Sequence, residues 1–156
     1  MKLHYSPLFS AIALFFTLAC SLCRADEPKV VDCKDAVASA NTVFKQQNDG
    51  IGLEKEGELV TLLKMLNQHN ALPNEFVTTE AAKKAGWDGK GSLWDVWLLN
   101  KKVIGGDPYV DSWLTADLES FKGNRSNKRL VYRLDSRTRY LTNAQYENMA
   151  EIAPCR

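Results

Sequence analysis

The hydrophobic periodicity of this chain changes once, near Val103, and that change constrains the fold more than any other feature. Upstream, Ala36, Val37, Ala40, Val43 and Phe44 recur at helical spacing over residues 33–47, and Asn48, Asp49 and Gly50 stop that helix with turn residues. Leu59, Leu62, Leu63 and Leu66 form a broader apolar stripe over residues 58–68, with His69 at the end, where a cation suits the helix dipole. Leu72-Pro73 closes this second helix. Thr78 or Thr79 opens a short third one that stops at Gly86, and Ser92 caps a further turn. Downstream the period becomes two, with β-rich segments at 112–120, 129–134 and 137–142, and Ile104-Gly105-Gly106-Asp107 reads as a turn before them. Helices first and strands afterwards predict an α+β fold, N-terminal helices packed on a C-terminal antiparallel β-sheet.

A length of 156 residues suits one domain. Lys2, the apolar run 12–19 and the small residues up to Cys23-Arg24-Ala25 read as a secretory signal peptide over 1–25. Thr17-Leu18-Ala19-Cys20 offers a competing cleavage pattern that would leave a lipid anchor on Cys20; cleavage after Ala25 is preferred, and predicts a secreted or periplasmic protein, monomeric and free of the membrane. That cleavage leaves two cysteines, Cys33 and Cys155, near the two ends of the mature chain. In an oxidising compartment they read as a disulfide. No phosphate-binding glycine loop, zinc spacing or repeat occurs, so neither a cofactor nor a metal is expected.

Overall charge argues little. Removing Lys2 and Arg24 with the signal segment leaves 18 basic and 19 acidic residues. The distribution says more: Lys122, Arg125, Lys128, Arg129, Arg133, Arg137 and Arg139 cluster within 121–139 against Asp135 alone, which suits either a polyanion on one face or an ordinary solvated strand. Arg125 and Arg129, four residues apart with Asp117 on the preceding strand, carry the sharper expectation, since guanidinium forks hold phosphate oxygens bidentately.

Leu72-Pro73-Asn74-Glu75-Phe76-Val77-Thr78, Glu80-Ala81, Gly86-Trp87, Gly91-Ser92-Leu93-Trp94-Asp95-Val96, Ile104-Gly105-Gly106-Asp107, Trp113, Ala116-Asp117, Arg125 and Arg129-Leu130-Val131-Tyr132 occur in an order that resembles the barnase family of secreted guanyl-preferring ribonucleases. The resemblance covers roughly 58–152. It implies a barnase-like domain at 58–156, preceded by a helical extension at 26–57 tied on by the disulfide. It also implies an RNA-binding sheet face and cleavage by attack of the ribose 2′-hydroxyl on the neighbouring phosphate. That reaction needs a base, an acid and cations for the phosphate charge. By this resemblance the phosphate-binding arginines fall on Arg125 and Arg129, with Asp117 as their buttress and Arg133 as an outlying cation. The general base falls on Thr115, the general acid on Gln145 and the active-site lysine on Thr79, none of which can do that work at neutral pH. The guanine-recognition loop shrinks to Pro108-Tyr109-Val110-Asp111-Ser112.

Three readings of function follow. One is a ribonuclease-family protein that keeps an RNA- or phosphate-binding face, with catalysis impaired or lost. Another is an active extracellular endoribonuclease with a substitute base, Glu119, which alternation along the strand would set on the face of Thr115 and Asp117. In the third, a module for a protein partner or inhibitor, Trp94, Trp97, Leu98 and Leu99 would form an exposed patch.

Overall fold

The structure, a computed structural model, describes residues 29–156, so the signal segment 1–25 and Cys20 lie outside the described residues. Three helices, α1 (Cys33–Gln47), α2 (Glu56–His69) and α3 (Thr79–Lys84), precede or flank six strands: β1 (Phe76–Val77), β2 (Val103–Pro108), β3 (Leu114–Leu118), β4 (Lys128–Tyr132), β5 (Arg139–Asn143) and β6 (Ala150–Ile152). The strands lie in sequence order across one sheet. β1 runs parallel to β2 and every other neighbour is antiparallel, so the sheet is mixed rather than purely antiparallel.

α1 begins where the Asp32 carboxylate accepts the Lys34 N–H at 2.7 Å, and α2 ends on Asn70 in the left-handed conformation with φ 52°. Both pack on one face of the sheet. Ala36, Val37, Ala40 and Phe44 from α1 and Leu59, Leu62, Leu63 and Leu66 from α2 share one core with Ala116, Leu118, Leu130, Leu141 and Ile152. Buried Asn41 fastens α1 to the segment before α2: its side-chain oxygen accepts the Leu53 N–H at 2.7 Å, and its amide nitrogen donates to the Leu53 carbonyl at 3.1 Å and to Glu56 at 2.6 Å. All the polar atoms of that amide near the core are thereby satisfied. The two chain ends meet alongside, with Val31 bridged to Cys155 and a disulfide joining Cys33 to Cys155.

The Ile104-Gly105-Gly106-Asp107 stretch is strand, not turn, and its two glycines serve different ends. A Cβ on Gly105 would collide with the Phe76 ring, so this position lets β1 close on β2. Gly106 has φ +74°, at a bulge where the β2–β3 register shifts between Gly105 and Asp107. Tyr132 stands beside this bulge. Burial, followed by nearby Asp107, pushes its phenol from 10.0 up to about 12, with the Gly106 backbone opposing. A folded-state value above the unfolded one gives a stability contribution that is whole below pH 10.0 and lost as pH rises through about 12. Phenolate absorbance during alkaline titration should show one tyrosine ionising with unfolding, and Tyr132→Phe should remove that step. A Tyr132→Phe profile identical to that of the parent protein would refute the assignment.

Candidate phosphate-binding site

β3 and β4 pair with Asp117 opposite Arg129 and Thr115 opposite Val131, so these four side chains share the sheet face turned away from α1 and α2. Asp117 is 2 % exposed and sits at the centre. One carboxylate oxygen accepts the Arg125 Nε–H at 2.7 Å, and the other faces Arg129 Nε at 3.0 Å and Arg125 Nη2 at 3.3 Å. Arg129 is buried and also donates to the Ser126 and Lys128 carbonyls. Burial lowers its guanidinium from the ordinary value; Asp117 opposes this, Arg125 adds to it, and Tyr146 opposes it. Arginine remains a cation throughout such a shift. Arg125 is the accessible member, its side chain 28 % exposed and its guanidinium 5.1 Å from the centre of the Trp87 ring.

Aromatic rings border the pair. Tyr146 follows the turn after β5 and stacks on Tyr109 at 4.3 Å between centroids. Trp113 tilts against Tyr140 at 5.6 Å, and Arg133 lies over Trp113 at the same distance. Arg133 lies one residue past the end of β4, which carries Arg129 near its start. Arg133 is held there by Asp135, at 2.8 and 2.6 Å, a bond that raises the guanidinium and lowers the carboxyl from their ordinary values.

The positions implied as base, acid and lysine are placed as follows. Thr115 is buried beside Asp117 on the same face. Gln145 is exposed in the turn next to Tyr146. Thr79 opens α3, where its N–H and hydroxyl both donate to Asp107, at 2.6 and 2.7 Å. That pair joins the bulge of β2 to the helix that carries Trp87 just beyond its end.

Glu119 does not continue the alternation. β3 ends at Leu118 and Glu119 turns into the left-handed region with φ 54°. Its carboxylate accepts the backbone N–H groups of Glu54 and Lys55 ahead of α2 and pairs with Lys128, while its own N–H donates to Glu58. Lys55 is the N-cap of α2, so the carboxylate sits at the positive end of the helix dipole. Burial chiefly raises the Glu58 carboxyl from its ordinary value. Lys128 is drawn to the helix side by this pair, because adjacent strand residues face opposite ways.

The basic run at 121–139 therefore does not form one face. Arg125, Arg129 and Arg133 belong to the open side, Lys128 is tied to Glu119, and Arg139 points toward α2. Trp94 and Trp97 are half-buried, Trp97 against Ala82, Trp87, Leu93 and Ile104, so only Leu98 and Leu99 of that expected patch are exposed. Trp87, Tyr109 and Tyr146 have no individual role in the site expected from the sequence. The aromatic residue straight after the Gly86 helix stop was the one available signal for Trp87. Among the described residues no cluster of His, Cys, Asp and Glu could hold a metal ion. Compared with protein-family models and with curated protein sequences, the chain matches none.

Proposed function

We propose that this protein is an exported binder of RNA phosphates on a barnase-like fold, with the family's cleavage chemistry impaired or lost. One observation carries the reading: a single buried carboxylate, Asp117, aligns Arg125 and Arg129 side by side on the open sheet face. Guanidinium groups fixed in this way are pre-organised for a phosphate diester, and Arg125, the more exposed, makes first contact. The Trp87 ring under Arg125 and the Tyr109–Tyr146 stack supply flat apolar surface next to the cations, the partner that an unstacked base needs. No histidine, glutamate or lysine side chain bonds to this pair among the described residues, while Thr115 and Gln145 offer no proton acceptor or donor of suitable pKa.

Single-stranded RNA should bind with strong salt dependence. Arg125→Ala should weaken it and reduce the slope of log affinity against log salt by about one. Mature protein free of other ribonucleases should cleave a GpN dinucleotide little or not at all. Efficient cleavage would overturn the loss of chemistry, and an unchanged salt slope in Arg125→Ala would remove the arginine pair from the interface.

A further inference from the structure

β5 opens with a charge on the helix side of the sheet. Arg139 pairs in register with Tyr132 and Ile152, and its Nη1–H reaches the Leu63 carbonyl of α2 at 3.4 Å. The residue is 5 % exposed, its Nε has no hydrogen-bond partner among the described residues, and no carboxylate there pairs with it. Burial lowers its guanidinium from the ordinary value and the nearby Arg137 cation lowers it further. A buried cation in that position is costly unless an anion compensates it.

Arg139 and Arg137 line a cavity of about 400 Å³ between α2 and the β4–β5 turn. Leu66 and Leu134 give it apolar walls, and Asp135, the one acid that lines it, spends both carboxylate oxygens on Arg133. Asn67 lines it as well. The Asn67 amide nitrogen donates to the Cys155 carbonyl at 2.9 Å, whereas its buried Oδ1 has no donor among the described residues. Two cations without a carboxylate partner among the described residues thus share a cavity with an acceptor that lacks a donor.

We propose that this cavity is a binding site for a small oxyanion that carries its own hydrogen-bond donor, with acceptor oxygens on Arg139 and Arg137 and the donor on Asn67 Oδ1. Hydrogen phosphate and phosphomonoesters have that chemistry, and so does a carboxylate with an adjacent amide N–H. The site is independent of the Asp117 clamp, since Arg139 and Arg129 stand on opposite faces of the sheet.

The test is a titration of the disulfide-bonded mature protein, isotopically labelled, with inorganic phosphate and separately with N-acetylglycine at constant ionic strength, following the Arg139 Nε–H and Asn67 amide resonances. At least one ligand should shift both resonances saturably, and which one does so identifies the source of the oxyanion. Arg137→Gln, at an exposed position, should weaken that binding about tenfold. Arg139→Met, apolar and of similar length, should abolish it while the protein stays folded. The ligand that binds should raise the parent's melting temperature and leave that of Arg139→Met unchanged. The proposal is overturned if neither ligand produces a saturable shift at Arg139, or if both variants bind as the parent does.

Discussion

Asp117→Ala lowers the unfolding free energy by roughly 3 to 5 kcal/mol, the range seen when one partner of a buried ion pair is removed. The size follows from what is left behind. Arg129 is 7 % exposed and loses the one carboxylate that faces it among the described residues, while two guanidiniums that Asp117 had bridged now repel one another. The Ser126 and Lys128 carbonyls still accept from Arg129 and hold it in place, so it cannot turn outward to water without breaking both bonds. Arg125→Ala, by contrast, removes a partly exposed partner and should cost about 1 kcal/mol, near the ceiling for screened pairs. Urea denaturation separates the two variants: the Asp117→Ala midpoint should fall far further, with little change in slope. Adding Arg129→Met to Asp117→Ala should recover part of the loss, because the stranded charge is then gone. A loss below about 1 kcal/mol for Asp117→Ala, the range of an exposed pair, would show that the clamp is a surface contact rather than the keystone of that face.

How much of this was readable beforehand depended on whether a feature was local. α1 was legible over its whole length, since its apolar stripe and the Asn48-Asp49-Gly50 stop are both contained in fifteen consecutive residues and the turn after them. β3 is shorter than the run of β-formers at 112–120 because Ser112 and Glu119 both adopt positive φ, which a side-chain pattern does not encode. β2 was hidden by its own glycines: Gly-Gly reads as a turn, yet Gly105 is small to admit the ring of Phe76. β1 and β6, at two and three residues, are too short to show a period and exist only through their neighbours.

The candidate site divides in the same way. The spacing of Asp117, Arg125 and Arg129 across the single connection between β3 and β4 made their meeting foreseeable, as strand alternation places Asp117 and Arg129 on one face. Trp87 and Tyr109 come from distant segments, and only the closed fold sets them beside those arginines. Arg139 looked like an ordinary polar strand residue; its burial against Leu63 depends on where α2 lies.

Removing the disulfide should produce the other large effect. The Cys33–Cys155 bond closes a loop of 122 positions, nearly the whole described chain. On the chain-entropy model a loop of that length raises folded-state stability by about 4 to 5 kcal/mol, chiefly by restricting the unfolded ensemble. Folded-state contacts at the seam are not lost with it. The Val31 N–H still donates to the Pro154 carbonyl at 3.1 Å, the Arg156 N–H to Val31 at 3.0 Å and Asn67 to Cys155 at 2.9 Å, so the ends should stay docked once the chain has folded. The Cys33→Ala/Cys155→Ala double variant should therefore fold and keep its sheet, but melt roughly 10 to 20 °C below the parent. Both sulfurs are buried in the core formed by α1, α2 and β6, so a small cavity cost adds to the entropic one. Reduction of the parent protein isolates the two, since a dithiol keeps the sulfur volume and loses only the covalent closure. If reduced parent and double variant melt together, loop closure accounts for the effect. If the reduced parent melts with the oxidised one, the bond adds no stability and the parallel pairing of the two chain ends is sufficient by itself.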